Sequence, residues 1–461
     1  MEKIKIKFED EDGVDKLFND GRTHTQGNNL KLVPFTTNSN PFIFNDFNGV
    51  IGAFTRLMDD KKIRLGIDVN KFYLKLDELI TCTGEEKEKL IEIIKDMYVK
   101  NNAIIPFNIR TIGYLESNSF TEKIAMFLYT MFIDGSVKEK YHEACKKEEI
   151  NVLQKIVLEA LPELKESGTV DEARYSCFLP YIKEVFQEDI TFMIENPKIY
   201  EKNLKRFLEY YFMFYITQLA IKLSKFEKAD IEKVEKVYMT LSWEVTSKTR
   251  QAYIYGWKYI IEYIPKLFSH AVSLEFLSHN NSNRPMDYVQ FYRDFIDTEE
   301  DIQMSESISK ITDKYKTWIS NVNYSLCLHD KEKDGNCKTS NQIRLLFETI
   351  DFQFTKGTRT APYQKYSGRF IEFVHYNFGK RRGALGYTFN ITEQDIILFT
   401  KIILGQNDGR IRLVRLFNEF ERRGLVFDRE SKKKIVELFE KLNLLEKKSD
   451  SGDAQYVKSI L

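Results

Sequence analysis

The sequence predicts a mainly α protein: an irregular multi-helix body with an N-terminal extended arm and a small C-terminal module of three helices and a hairpin. Three observations predict it. Only 9 prolines occur in 461 residues, so long helices meet few breakers. Apolar residues recur at helical spacing through the middle of the chain and again near its end. Polar punctuation gathers in residues 1–45 and again in 355–389.

Residues 1–45 read as the arm. Ile4-Lys5-Ile6-Lys7-Phe8 alternates like a short strand, and Asn19-Asp20-Gly21, Gln26-Gly27-Asn28-Asn29 and Asn38-Ser39-Asn40-Pro41 then break the chain. Such an arm packs on a neighbour, either the body of this chain or another subunit. Residues 46–354 read as an all-helical body. Asp77–Lys100 splits into two helices at Thr81-Cys82-Thr83-Gly84, with Thr83 as N-cap and Leu90, Ile91, Ile93, Ile94 and Met97 on one apolar face. Tyr200–Leu223, Ile231–Leu267 and Ile302–Leu328 are further periodic segments, the second reading as two helices that meet near Leu241-Ser242. Tyr210–Leu223 is the strongest apolar run. Gln218 and Lys222 interrupt it, and it falls short of the roughly 20 residues a membrane span needs, so it reads as a buried helix. No fixed repeat supports a solenoid. Five scattered cysteines and an N-terminus without an apolar signal core lead us to expect a cytoplasmic protein with free thiols.

Residues 355–389 read as a linker. Thr355 to Pro362 breaks the helical pattern, Phe370–Phe378 reads as a short strand or helix, and the basic cluster Lys380-Arg381-Arg382 follows. Residues 390–461 then carry three helical stripes. Thr392 is an N-cap with Asp395 three residues on, and Ile396, Phe399 and Ile403 follow up to Gly405. Leu413, Leu416, Phe417 and Phe420 form the second stripe, which Gly424 ends as a left-handed cap. Ile435, Leu438, Phe439 and Leu442 form the third, with Asp428 or Ser431 at its start. Leu444–Lys448 and Gln455–Ile460 are two short strands around Ser449-Asp450-Ser451-Gly452-Asp453-Ala454. The short connection between the last two helices and the closing hairpin are those of a winged helix-turn-helix domain.

The formal net charge is zero, which hides an asymmetry. Residues 351–461 hold 21 Lys and Arg against 14 Asp and Glu, a surplus of 7 positive charges that the rest of the chain balances. In helix-turn-helix folds the second helix of the pair enters the major groove. Here Arg429, Lys432, Lys433 and Lys434 crowd its first turns. Cations there oppose the helix dipole, so they do not serve the helix itself. Lys447 and Lys448 lie at the wing, Arg422 and Arg423 end the preceding helix, and Lys380, Arg381 and Arg382 form a Gly-flanked basic segment. All are candidate contacts to the phosphates of double-stranded DNA, of the kind that position without reading sequence. Asp450 and Asp453 at the wing tip argue the other way.

No catalytic, metal or cofactor site is expected. Gly335-Asn336-Cys337-Lys338-Thr339 echoes the end of a phosphate-binding loop but lacks its glycine frame. Cys327, His329 and Cys337 supply three metal-ligand types where a structural zinc site wants four. His279-Asn280-Asn281 matches a nuclease motif by letters only, and His24, His142, His270 and His375 stand isolated.

Several segments carry a family resemblance. They are Lys380–Tyr387, Glu421-Arg422-Arg423-Gly424 with Asp428-Arg429, and Ser449–Val457, together with His24-Thr25-Gln26-Gly27-Asn28 and Leu32-Val33-Pro34-Phe35. They resemble DptG, a subunit of DNA phosphorothioation-dependent restriction systems. The resemblance implies an antiviral defence complex with DptF-like and DptH-like subunits, the latter similar to a HerA-type ATPase, acting on DNA that lacks the phosphorothioate mark. It supplies no catalytic residue. The expected function is therefore a non-catalytic adaptor that binds DNA. The rivals are a nuclease with an unrecognised acidic metal site, a protein-only scaffold, and a transcription regulator.

Overall fold

The computed structural model describes residues 18–19, 23–24, 30–35, 47–62, 68–82, 84–101, 103–166, 175–279, 285–331, 334–357, 360–447 and 455–459. Helices dominate them. The longer ones are α1 (Asn48–Met58), α2 (Val69–Leu79), α3 (Glu85–Tyr98), α4 (Ser119–Phe132), α5 (Gly135–Lys147), α6 (Val152–Ala160), α7 (Pro180–Glu195) and α8 (Pro197–Ser224). There follow α9 (Leu267–Leu277), α10 (Tyr288–Phe295), α11 (Glu300–Trp318), α12 (Lys338–Lys356), α13 (Thr360–Phe378), α14 (Glu393–Gly405), α15 (Leu413–Arg422) and α16 (Arg429–Lys441). The strands that matter below are β1 (Tyr238–Leu241), β2 (Gly379–Arg381), β3 (Tyr387–Ile391), β4 (Arg410–Arg412), β5 (Val426–Phe427), β6 (Leu445–Lys447) and β7 (Gln455–Lys458).

The 28-residue α8 is the hub. It is buried on every side from Phe207 to Leu223, as a helix enclosed by other elements must be. Its rings reach three neighbours: Tyr211 meets Phe186 of α7 at 4.9 Å, Phe212 meets Phe373 of α13 at 5.2 Å, and Tyr210 meets Phe399 of α14 at 4.6 Å. Each such pair adds about 0.5–1.5 kcal/mol beyond the area it buries. The polar interruptions are satisfied inside. Gln218 exchanges hydrogen bonds of 3.0 and 2.8 Å with the Glu235 backbone, and Lys222 pairs with the Glu235 carboxylate at 2.9 Å. Among the described residues no helix is long and apolar enough to cross a membrane.

Part of the arm is core. Leu30, Leu32, Val33 and Phe35 are buried, and the Phe35 ring lies 6.0 Å from those of Phe212, Tyr366 and Phe370. The Leu30 amide donates to the buried Glu275 carboxylate at 2.8 Å. The neighbour of this stretch is therefore the chain's own body; Ile4–Phe8 lies outside the described residues.

Three expectations need correction. Ile231–Leu267 is not a pair of long helices but strand β1, a loop, and the short helices Gln251–Ile254 and Trp257–Ile260. Distant strands flank β1 and override the local helical spacing. The α3 face predicted to be apolar buries Ile94 but leaves Ile93 and Met97 exposed, because α3 packs only on a small satellite core with α2 and α6. Its N-cap is Gly84; Thr83 lies outside the described residues. Finally, 355–389 is not a linker: α13 fills most of it, and β2 and β3 pair as an antiparallel hairpin.

That hairpin joins a four-stranded sheet of order β5-β1-β3-β2. β1 runs parallel to both β3 and β5, so the turn between α15 and α16 is stitched to the body. The C-terminal helices form as predicted. The Thr392–Asp395 capping box closes α14, Gly424 takes φ +78° after α15, and Asp428 caps α16. Like β1 and β5, β4 was not foreseen. β4 pairs with β7, giving an antiparallel sheet of order β4-β7-β6 behind the helices. A single hydrophobic core runs from the arm through α8 into this C-terminal part.

Candidate nucleic-acid interface

The sequence of α16 sorts its faces. Ile435, Leu438 and Phe439 point into the core, while Arg429, Lys433 and Lys434 stay exposed and Lys432 is half-buried. Its first turn is anchored from the body. The Asp428 carboxylate accepts from the Ser431 amide at 3.0 Å and from the Arg250 guanidinium at 3.0 and 2.5 Å. Arg250 also donates to the Ser431 hydroxyl at 2.9 Å and pairs with Glu244 at 2.6 Å. Burial pushes the Asp428 carboxyl up, but the Arg250 cation and the helix amides outweigh it and hold it below the usual carboxylate range.

The cations of α16 are differently engaged. Lys432 pairs with Glu421 at 3.1 Å and lies 5.2 Å from the Phe417 ring. Lys433 and Lys434 make i,i+3 pairs with Glu430 at 3.3 Å and Glu437 at 2.8 Å. Exposed pairs of that kind are worth only about 0.3–0.5 kcal/mol, so a phosphate can replace them. Arg429 is exposed and makes no ion pair among the described residues. Beside this turn lies an open groove of about 740 Å³ with a lining of mixed charge: Lys236, Arg429, Lys432 and Lys433 against Glu421, Asp428 and Glu437. Glu421 bridges Lys236 and Lys432 across it, each at 3.1 Å.

The basic hairpin comes to the same region. Lys380 donates to the Ser242 carbonyl, and Arg382 to the Glu244 carbonyl at 2.6 Å. Arg381 is exposed on β2. The β1–Arg250 loop thus bridges Lys380 and Arg382 to the start of α16.

Two predicted contacts lie elsewhere. Arg423 is wholly buried, bonded to Asp189 at 2.7 Å, Gln406 at 2.8 Å and Glu419 at 2.8 Å, so it cannot face a phosphate. Arg422 grips Glu188 of α7 at 2.5 and 2.6 Å on the side facing the body. Both fasten α15 to α7. Lys448 and the loop 449–454 lie outside the described residues, as does the Lys447 side chain beyond its place on β6.

Sequence reasoning missed other groups. Lys236, Trp243 and Lys248 sit in a segment read as helix. On β4, Arg410 stacks over Tyr456 of β7 at 4.1 Å and pairs with Glu446 at 3.1 Å, a second basic face that Arg412 extends. A basic residue next to the turn Asn407-Asp408-Gly409 was the available signal for that strand.

The residues weighed as metal ligands do not converge. The buried Cys337 thiol contacts Asp301 at 3.4 Å and the Cys327 thiol the Glu348 carbonyl at 3.7 Å. The His329 ring nitrogens lie 2.5 Å from Glu348 and 3.1 Å from Asp334. Partial burial lowers the His329 basicity, but the two carboxylates outweigh it and raise it above the ordinary histidine value. The imidazolium clamp is thus complete below about pH 6 and is lost as pH rises through the raised value. Amide exchange around residues 327–331, corrected for intrinsic rates, should speed up as pH rises from about 6 through the raised value. His329→Gln should remove that dependence; an identical pH profile in the variant would dismiss the clamp.

No protein-family model matches this chain, and no curated protein matches it.

Proposed function

We propose that this chain is a non-catalytic adaptor subunit that contacts duplex DNA through a C-terminal winged helix-turn-helix, in a phosphorothioation-dependent restriction complex with DptF-like and ATPase DptH-like subunits. The complex would act on DNA lacking the mark, and the resemblance of the sequence to DptG supports that assignment. The order helix, strand, helix, two-residue strand, helix, strand, strand from α14 to β7 supports the winged-helix reading. The observation that carries DNA contact is the exposed Arg429 at the front of α16, with no ion pair among the described residues, beside a groove that gathers Lys236, Lys432 and Lys433 along with Glu421, Asp428 and Glu437. Each cation that meets a phosphate releases counterions, so affinity should fall steeply with salt. The acids interleaved along α16 instead favour a second reading, a scaffold whose basic face meets an acidic protein surface.

Reversing Arg429 and Lys433 to glutamate tests the first. Neither side chain is buried, so folding should be spared. Duplex affinity should drop at least about tenfold near 0.1 M salt, and the salt slope should shrink by about 2. Unchanged affinity and slope would refute DNA contact at this surface and leave the scaffold standing.

A further inference from the structure

We infer that the loop Ser242–Thr249 is a wedge for an unstacked base, so that this surface prefers DNA with an unpaired strand over intact duplex. The inference rests on the DNA-contacting reading above and narrows its substrate.

The loop carries two large apolar side chains in water, Trp243 at 43% and Val245 at 88% exposure. Single exposed apolar residues are common and mean little. This pair differs because its backbone is held stiff. Lys380 donates to the Ser242 carbonyl, Arg382 to those of Leu241 and Glu244 at 3.3 and 2.6 Å, and Arg250 to that of Val245 at 2.9 Å. Three cationic side chains therefore fasten the main chain while the tip projects outward. A rigid aromatic tip loses little conformational freedom when it meets a ligand.

Charge selects the ligand. The loop adds the exposed Lys248, Lys380 lies against its base, and Arg429 lies just beyond the Arg250–Asp428 contact. The acids inside the arrangement, Glu244 and Asp428, are buried and committed to Arg250 at 2.6 and 2.5 Å. Exposed cations thus frame an apolar tip. A nucleic acid with accessible bases supplies both complements, phosphates for the cations and a π face for the indole. An intact duplex hides its base faces in the stack. An aromatic tip gains most where a base is already free or cheaply unstacked, because no stack has to be opened to reach it.

Fluorescence anisotropy with the full chain tests this, using a labelled blunt duplex and the same duplex bearing a single-stranded arm. The wild type should bind the armed ligand roughly tenfold more tightly, and Trp243→Ala should lose most of that preference while binding the duplex almost as before. Its salt slope should not change, because no cation is removed. Trp243→Phe should keep most of the preference, and a melting temperature equal to wild type shows each variant folded. Equal affinity of Trp243→Ala and wild type for the armed ligand overturns the wedge and leaves the loop to a protein partner. An equal loss on both ligands also overturns it. A wild type that binds duplex and armed ligand alike sinks the wedge alone; one that binds neither sinks the DNA-contacting reading with it.

Discussion

Arg423→Leu should destabilise the protein by about 3–5 kcal/mol, the cost of stranding a buried charge. Neither Arg423 nor its partner Asp189 has any exposed side-chain surface. The guanidinium makes contacts of 2.7 to 3.2 Å with both Asp189 oxygens, and Asp189 also accepts from the Tyr211 hydroxyl at 2.6 Å and the Gln406 amide at 3.1 Å. Removing the cation leaves the carboxylate with neutral donors only, inside the core. Urea unfolding measures that deficit against wild type. Arg423→Lys should recover only part of it, because one ammonium cannot reproduce the forked contact. A deficit under about 1 kcal/mol at neutral pH would show that the pair contributes little.

Gly424→Ala should be nearly as damaging. Gly424 has φ +78°, where any side chain costs about 1 kcal/mol or more. A Cβ there would also lie 2.2 Å from Cε2 of Phe214, on the buried hub helix α8. Phe214 is itself buried, and overpacking of a filled core adds about 1–3 kcal/mol. The sum is roughly 2–4 kcal/mol. Gly383→Ala is the matched control, with φ +54° but nothing within 4 Å of the added carbon. It should cost only the backbone part. Equal melting temperatures for the two variants would remove the role assigned to Phe214.

These two neighbours show what was legible in the sequence and what was not. Gly424 announced itself: it follows the stripe Leu413, Leu416, Phe417, Phe420, and a left-handed cap is a local property of the chain. Asp428 and the Thr392–Asp395 box were readable for the same reason. Arg423 was misread as a surface cation because its partner Asp189 is 234 residues away, and no local spacing records such a pair. The sheet escaped in the same way. β1 and β5 are four and two residues long, too short for alternation to register, and their pairing is decided by distant strands. The basic positions of the candidate interface were found from composition. Their assembly around Arg250 and Trp243 was not, because that loop was taken for the middle of two helices.

The parallel pairing of Val426 with Tyr238 and of Phe427 with Met239 has a consequence for how the molecule is made. Ribosomal synthesis delivers β1 long before β5, so that edge of β1 waits unpaired until Val426 and Phe427 have emerged. Closure of such a non-local contact comes late and slowly. A nascent or prematurely terminated chain thus presents a bare strand edge, a surface prone to joining other strands and one that chaperones would be expected to shield. Cutting the C-terminal helices away from the body would recreate that hazard at both halves of the break.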